Sequence, residues 1–377
     1  MSNYRMYDVD VQTLTPLHIG TGRELLKDFD FAVRGSRTYR LNEDAILEEK
    51  GADDAAAAAV LAGTPPAHLI EDLLGTAAGD AFVRYSLRGV PRTQGTGARL
   101  REQIKSAYDE VYLPGSSIKG ALRTSLLRAL WAQKAMKPAS AALGRNAKFA
   151  AQPIEKELMG RDPNHDLLRA LQVADSALRR DVPLGVFNAR VVTRRGIGGN
   201  ERGSAPIEME AIPSDQLFAL TVRVDQQLFS TWAQGAELPT GGLSLLEQLP
   251  ALVQQHAAAS IAGERSWFEG LPGGERVAAW YAELGGLKLG NRRCLMQLGW
   301  GTGWESKTLG LHLRSDARFM QKIMDDYRMT RGIRVPPERF PASRRVVMSV
   351  SHDAQGRTQE RIVSPFGWCL LTFKERK

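Results

Sequence analysis

Cysteine is nearly absent from this sequence: of 377 residues only Cys294 and Cys369 are cysteines, and no CxxC pair occurs. Each lies within an apolar run, which is typical of a reduced thiol in a protein core rather than of a disulfide. The lack of paired cysteines also removes the usual spacing signal for structural zinc. We therefore expect no metal site and no cofactor.

Long apolar stretches are absent as well. No segment approaches the length of a membrane span, and the N-terminal residues MSNYRMYDVDVQ lack the apolar core of a signal peptide. These absences predict a soluble cytoplasmic protein with no membrane partner.

Basic residues are in excess. Lysine and arginine number 50 against 42 acidic residues, which gives a net charge of +8 and a pI near 9.5. This balance favours a polyanionic partner such as nucleic acid, although the many acidic residues weaken the inference. Hydrophobic residues make up 43% of the chain, enough for the cores of two or three domains.

The stretch YLPGSSIKGALRTSLLRALW, residues 112–131, predicts a strand end, a glycine turn and a helix. Ser116 or Ser117 is suited to cap the helix, because a serine hydroxyl accepts hydrogen bonds from free amides of the first turn. Ile118, Leu122 and Leu126 recur at helical spacing and predict a buried face.

Lys119 and Arg123 lie four residues apart near the start of this helix, on a different face from the apolar residues. The helix dipole disfavours cations at this end, whereas a bound anion would be stabilised by the free amides and by both cations. The pair therefore predicts either a phosphate contact or an ordinary solvated face. In both cases the two side chains should be dispensable for folding.

Hydrophobic periodicity predicts the remaining elements of an α+β chain. In the first half it predicts strands at 7–15 and 171–178, a hairpin at 30–41, a short helix from Asn42 or Asp44 to Leu47, helical structure across 51–89 and a surface insertion at 134–166. In the second half it predicts strands at 186–193, 217–224, 294–298 and 361–373, with helices at 243–262 and 274–284. The first half is typical of a ferredoxin-like unit, and we divide the chain into domains 1–180 and 181–377.

Arginine and glycine are concentrated between two strands of the second half. Arg194, Arg195 and Arg202 lie in RRGIGGNERG, at the predicted tip of a long hairpin. Such a tip is either simply solvated or suited to contact a nucleic-acid backbone.

Two glycine-rich motifs occur, one near the start of the sequence and one in its last quarter. PLHIGTG contains His18, Gly20 and Gly22, and LGWGTGWESKTLG contains Gly299, Gly301, Gly303 and Lys307. The second is one residue away from a P-loop, because Ser306 stands where the second glycine is required, and this disfavours ATP binding. Its glycines suit a backbone loop that meets phosphate or base, with Lys307 as a point charge and Trp300 or Trp304 as a stacking surface. A tight turn packed by the tryptophans is the structural alternative.

His18, Asp28 and Asp30 are the candidates for chemistry. The free pKa of histidine suits a general base, and two aspartates could hold a divalent cation near RNA. No second histidine, tyrosine or lysine at suggestive spacing completes an acid–base pair with His18. The residues therefore favour binding over catalysis.

Five segments occur in a fixed order between residues 16 and 310: PLHIGTG, YLPGSSIKGALRTSLL, VADS, EAIPSDQLF and LGWGTGWESKTLG. This set resembles the RAMP superfamily, the RNA-binding subunits of CRISPR effector complexes, and the last segment is most similar to the family of fifth Csm subunits of type III-A complexes. The resemblance implies two ferredoxin-like (RRM-like) RAMP domains with helical insertions and a protruding thumb hairpin.

The resemblance also implies a function. It implies a non-catalytic subunit that caps the Csm complex at the 3′ end of the guide RNA and assists guide maturation in antiviral defence. The implied partners are guide (CRISPR) RNA, target RNA, other Csm subunits, especially the backbone RAMP subunit, and host nucleases. RNA contacts are expected from the two glycine motifs, the central helix and the hairpin tip: His18, Gly20, Gly22, Ser116, Lys119, Arg123, Arg194, Arg195, Arg202, Gly299, Gly301, Gly303 and Lys307.

The alternative function is a RAMP endoribonuclease that cuts precursor or target RNA with His18 or with Asp28 and Asp30. In the backbone subunit the cleaving aspartate follows the first glycine loop at a similar distance. The surrounding sequence GRELLKDFDF does not match that loop, so the resemblance does not carry cleavage over.

Overall fold

Two β-sheets and the helices packed between and around them make up this computed structural model. It describes residues 3–376 except 52–62, 139–141, 195, 198–204, 232, 234–236, 240 and 331–334. The strands are β1 (Tyr4–Thr13), β2 (Gly20–Leu26), β3 (Phe31–Arg34), β4 (Arg37–Leu41), β5 (Val83–Arg88), β6 (Arg99–Gln103), β7 (Leu171–Val173), β8 (Gly185–Thr193), β9 (Gly196–Ile197), β10 (Ile207–Ala211), β11 (Leu217–Asp225), β12 (Arg293–Gln297), β13 (Ser343–His352), β14 (Thr358–Ser364) and β15 (Trp368–Glu375). The α-helices are α1 (Glu43–Glu49), α2 (Pro66–Leu69), α3 (Gly115–Gln133), α4 (Gln152–Met159), α5 (Gly242–Glu247), α6 (Leu249–Glu269), α7 (Glu275–Gly285), α8 (Gly303–Lys307), α9 (Gly310–Leu313) and α10 (Ala317–Asp326).

The smaller sheet is antiparallel and has the strand order β12–β15–β1–β11–β7. Its central strand β1 places Val9 opposite Leu220 of β11 and opposite Phe373 of β15. These three side chains are buried in the largest apolar cluster of the described chain. Alternation of buried and partly buried residues along β1 and β11 explains why the sequence pattern identified both strands.

The larger sheet has the order β2–β6–β10–β8–β5–β4–β3, and β13 and β9 also pair with β8 while β14 pairs with β13. Most pairs are antiparallel, and short parallel bridges join β6 to β10 and β5 to β8. Two curved sheets with helices confirm the predicted α+β class and are consistent with two ferredoxin-like units. The strands at the base of the predicted thumb, β8 and β10, pair antiparallel, and β9 pairs with the end of β8. Residues 195 and 198–204 of the predicted tip lie outside the described residues.

Both sheets contain strands from both sides of residue 180. β1 and β7 lie in the same sheet as β11, β12 and β15, and β6 lies beside β10 in the other. The predicted division into 1–180 and 181–377 therefore does not coincide with a division between sheets. Long-range pairing of this kind leaves no trace in local periodicity, which is why the sequence could not show it.

The central helix α3 begins one residue before the predicted serine caps. Pro114 occupies the N-cap position, and neither serine makes a capping bond. Instead the amide of Gly115 donates to Asp175 Oδ1 at 2.7 Å, and the amide of Leu113 donates to Ser176 Oγ at 2.8 Å. The VADS segment therefore supplies the cap from another part of the chain.

Several predicted elements are confirmed and others are wrong. The hairpin β3–β4, the helix α1 with its Asn42 cap and the helix α7 form as expected. The single helix predicted at 243–262 is two helices, α5 and α6, which meet at Gln248. Within the supposedly helical range 51–89, β5 is a strand because it pairs with β4. The supposed surface insertion contains α4, whose Ile154 and Leu158 are buried. The single closing strand is two strands, β14 and β15, separated by a turn at Gly367 with φ of 79°. Among the described residues no helix has the length and apolarity to cross a membrane.

Two glycines of α3 provide a matched test of this packing. A Cβ at Gly115 would lie 2.3 Å from the carbonyl oxygen of Val173, whereas a Cβ at exposed Gly120 meets nothing within 4 Å. We expect Gly120→Ala to stabilise the protein by roughly 0.5–1 kcal/mol, because alanine is the better helix former. Gly115→Ala should destabilise it, because the helix must move away from β7. Urea denaturation measures both, and equal effects of the same sign would contradict this packing.

Candidate nucleic-acid interface

The two glycine motifs, far apart in the sequence, meet in the structure. The amide of Trp300 donates a hydrogen bond of 2.8 Å to the carbonyl oxygen of His18. A Cβ at Gly299 would lie 2.3 Å from that same oxygen, and Gly299 has φ of 74°. Only glycine permits this approach, so the motifs form one backbone junction between the sheets.

A third glycine completes the junction. The amide of Gly367 donates to Pro16 O at 2.9 Å, and Gly367 O accepts from the amide of Leu298 at 2.7 Å. A Cβ at Gly367 would lie only 2.0 Å from Leu298 O. Sequence reasoning missed this residue because the strand predicted at 361–373 runs through the turn.

The other predicted glycines surround this junction. Gly301 has φ of 84° and packs against the ring of Phe366, while Gly303 and Gly22 have positive φ with open space beside them. Gly20 packs against the imidazole of His18, where a Cβ would lie 2.8 Å from Nε2. From Gly303 the second motif forms the five-residue helix α8 rather than the predicted loop.

His18 is buried beneath the junction, with 3% of its surface exposed. Its Nδ1 lies 2.6 Å from the carbonyl oxygen of Glu210. Burial lowers the pKa of His18 to about 4, and the charges of Arg101 and Lys105 act in the same direction. The predicted RNA contact and the general-base role are therefore not supported, since the imidazole is enclosed and its lowered pKa makes it a weak base.

A buried carboxylate supports the same region. Fully buried Glu210 accepts from Lys105 Nζ at 2.5 Å, from the Gln103 amide at 2.9 Å and from the Tyr85 hydroxyl at 2.8 Å. The side chain of Gln103 in turn accepts from the amide of Ile19, at 2.9 Å. The sequence signal for this network was an acid in the otherwise apolar stretch MEAI, which was not singled out.

Trp300 places an indole ring at the junction, in contact with two arginines. The guanidinium carbons of Arg101 and Arg345 each lie 5.3 Å from the centroid of its ring, and its edge packs against Phe366. Trp300 is half-buried, and Arg345 is exposed on β13. Sequence reasoning missed both arginines because each lies on a strand with no glycine motif.

Lys307 extends this positive charge. Its side chain is exposed overall, yet partial burial of the ammonium group lowers its pKa, and the nearby charge of Arg345 lowers it further. We call Trp300, Arg101, Arg345 and Lys307 the Trp300 cluster. Trp304 does not belong to it, because its ring packs edge-on against Phe340 at 5.1 Å.

Lys119 and Arg123 face protein, contrary to the prediction of a phosphate contact or a solvated face. Lys119 Nζ donates to the carbonyl oxygen of Leu168 at 2.9 Å. Arg123 donates to Asp166 at 3.0 Å and to Glu155 at 3.1 Å. The two cations hold the segment 155–168 against α3, and replacing both with glutamate would place acid beside acid. Ser116 is exposed in the first turn of α3.

The remaining predicted residues lie elsewhere. Arg194 is exposed in the turn after β8, near the end of α6 at Gly270. Arg195 and Arg202 lie outside the described residues. Asp30 is buried and bound to Arg23, Arg40 and the amide of Leu26. No cluster of three or more potential metal ligands occurs within the described part of the chain.

Comparison with models of protein families shows which family this chain belongs to. The model of the RAMP superfamily matches residues 10–304, most of the chain and all five motif segments up to Trp304. The chain belongs to the RAMP superfamily. A search of curated proteins found no match.

Two solved structures share the fold of this RAMP protein. A chain of a Csm–crRNA–target RNA ternary complex from a type III-A CRISPR–Cas system superposes with a TM-score of 0.67 at 22% identity, covering 98% of this chain and 100% of that one. Csm5 of T. onnurineus superposes with a TM-score of 0.60 at 20% identity, covering 96% and 99% respectively. The predicted RAMP fold is thereby confirmed over nearly the whole length.

The pKa of His18 gives a testable pH dependence. Because the pKa falls from 6.5 in the unfolded chain to about 4 in the folded protein, stability is lost as pH falls from about 6.5 towards 4. At pH 5 this loss is about 2 kcal/mol relative to pH 8. His18→Asn keeps a donor near the Nδ1 position without titrating. Between pH 8 and pH 5 the unfolding free energy of this variant, measured by urea denaturation, should therefore fall by about 2 kcal/mol less than that of the wild type. Parallel pH profiles of the two proteins would contradict the lowered pKa of His18.

Proposed function

We propose that this RAMP protein is a non-catalytic RNA-binding subunit of a type III-A CRISPR (Csm) ribonucleoprotein. In this proposal it caps the complex at the 3′ end of the guide RNA and assists guide maturation in antiviral defence. The observation that carries the proposal is the Trp300 cluster, which gathers three cations and an indole at the junction of the two glycine motifs.

The chemistry of the cluster suits single-stranded RNA. Lysine and arginine bind phosphate, and bases stack on indole rings and on guanidinium planes. Arg101 and Arg345 are held over Trp300 by cation–π contact, so their planar groups are already ordered for stacking. Gly20 and Gly22 are exposed on β2, which pairs with the strand of Arg101, and they leave the backbone open to a close approach by phosphate.

Little sequence preference is expected from these groups. Contacts to phosphate and stacking on bases hold a strand in place. They do not distinguish one base from another, as paired hydrogen-bond donors and acceptors at the base edges do. A subunit that must accept guides of any sequence requires this kind of contact. Guide and target RNA, and the neighbouring Csm subunits, especially the backbone RAMP subunit, are the partners in this proposal, with host nucleases acting on the guide end.

Similarity in length and fold supports the choice of subunit. Csm5 of T. onnurineus and this chain cover one another almost completely. The C-terminal motif LGWGTGWESKTLG, on which the resemblance to that subunit rests, supplies Trp300 and Lys307 to the cluster.

The cluster is tested by neutralising its exposed cations. We expect the double variant Arg345→Gln with Lys307→Gln to bind single-stranded RNA more weakly, and its plot of log affinity against log salt to be less steep by about 1 for each phosphate that the protein no longer neutralises. The matched control is Arg276→Gln with Lys288→Gln, which removes the same charge from exposed positions on and after α7. Fluorescence anisotropy over a salt series measures both. Equal weakening by the two variants would mean that RNA responds only to the overall charge of the protein, and would contradict the proposal.

The endoribonuclease remains the second candidate. His18 is enclosed and Asp30 is paired, whereas Asp28 lies half-buried beside Lys27 with φ of 69°. We therefore expect labelled RNA to stay intact with the purified protein in magnesium or manganese. Cleavage that disappears in Asp28→Asn, but persists in Asp72→Asn as a control for surface acids, would establish the nuclease instead.

A further inference from the structure

A cavity of about 210 Å³ lies between α3, α6 and α9, and no member of the Trp300 cluster lines it. Its walls include Ser125 and Arg128 of α3, Gln255 and His256 of α6, and His312 of α9. Ala132 lies at its exposed margin on the last turn of α3. Nothing in the RNA-binding proposal uses this cavity.

Arg128 is the buried cation of the cavity, with 5% of its surface exposed. Its Nε and Nη2 donate to the carbonyl oxygen of Thr308 at 3.1 and 2.7 Å, and Nη2 also donates to Glu305 O. Its Nη1 is buried without any hydrogen-bond partner in the described chain. Buried donors are nearly always satisfied in folded proteins, so an orphaned guanidinium nitrogen requires an explanation.

Among the residues that the structure describes, no carboxylate pairs directly with Arg128, because the two nearby acids pair with other arginines. Arg344 pairs with Glu264 at 2.8 Å, and Arg314 pairs with Glu305. These pairs use both acids, and Arg128 itself binds only carbonyl oxygens, with no carboxylate of a described residue within 4 Å. The attraction of Glu305 offsets the burial of the Arg128 charge only in part, and a bound anion would offset more of that cost.

Two imidazoles complete the wall. His256 Nδ1 lies 2.9 Å from Ser125 Oγ, and the ring of His312 stacks on Trp131 with centroids 6.0 Å apart. Burial, and then the charge of Arg128, lower the pKa of both, that of His256 to about 3. Each neutral ring still carries one N–H donor, and both rings line the cavity together with Arg128.

We propose that this cavity binds a phosphate group, with Arg128, His256 and His312 of its wall as the principal groups that attract it. A phosphate oxyanion has the negative charge that the cavity lacks and enough acceptor lone pairs for several donors. The same chemistry is offered by the terminal phosphate of an RNA strand and by a small phosphate compound. The inference does not depend on the proposed RNA-binding function.

The test is a titration of the whole protein with inorganic phosphate against chloride of equal ionic strength. Protein with ¹⁵N-labelled histidine reports on the ring signals, and His256→Gln and His312→Gln assign them among the six histidines. We expect the signals of His256 and His312 to shift with saturation, together with a matching heat of binding. Ala132→Glu should weaken binding by about tenfold through repulsion at the cavity margin, whereas the isosteric neutral Ala132→Gln should not.

The outcomes separate clearly. No saturable shift up to about 10 mM phosphate, equal shifts with chloride, or equal binding by the Glu and Gln variants would overturn the proposal. If oligoribonucleotides with a terminal phosphate shift both signals at lower concentration than inorganic phosphate, and hydroxyl-ended ones do not, the ligand is an RNA end. If inorganic phosphate is as effective, the ligand is a small phosphate compound. Arg345→Gln with Lys307→Gln should leave phosphate binding unchanged, which separates this site from the RNA-binding cluster.

Discussion

One backbone hydrogen bond, from the amide of Trp300 to the carbonyl oxygen of His18, joins the two halves of the candidate interface. It can form only because Gly299 has no side chain to strike that oxygen. Gly367 makes a similar close approach to Leu298 from the other side, so the junction is fixed at backbone level. The position of Trp300, and with it the two arginines over its ring, follows from this contact.

The junction rests on a buried polar network rather than on apolar packing alone. Glu210 is satisfied by Lys105, Gln103 and Tyr85, and its own carbonyl oxygen contacts His18. Low local polarity strengthens such bonds when all are made and makes any missing partner costly. Removing one member of a buried ion pair typically costs about 3–5 kcal/mol. The buried network therefore holds the candidate interface rigid, which suits a surface that must order a flexible RNA strand.

The sequence predicted features that depend on neighbouring residues alone, such as single strands, turns and glycine motifs. The strand β11 is predictable because burial alternates along it, and the hairpin β3–β4 because Gly35 and Ser36 mark its turn. The glycine motifs are recognisable because glycine marks close approach. The meeting of those motifs was not predictable, because a backbone contact between His18 and Trp300 leaves no pattern in either. The protein contacts of Lys119 and Arg123 were not predictable for the same reason: the carbonyl of Leu168 and the acids Asp166 and Glu155 lie in a segment whose structure the sequence did not show. The shared sheets likewise depend on pairing across the whole chain.

The central claim is that RNA lies across the Trp300 cluster. Ultraviolet cross-linking of the assembled ribonucleoprotein, followed by mass spectrometry of the adducts, tests this most directly, because it reports contact rather than affinity. We predict adducts on the peptides that carry Trp300 to Lys307 and the start of β13, joined to nucleotides at the 3′ end of the guide. Adducts confined to α6 and α7, with none at the glycine junction, would contradict the claim.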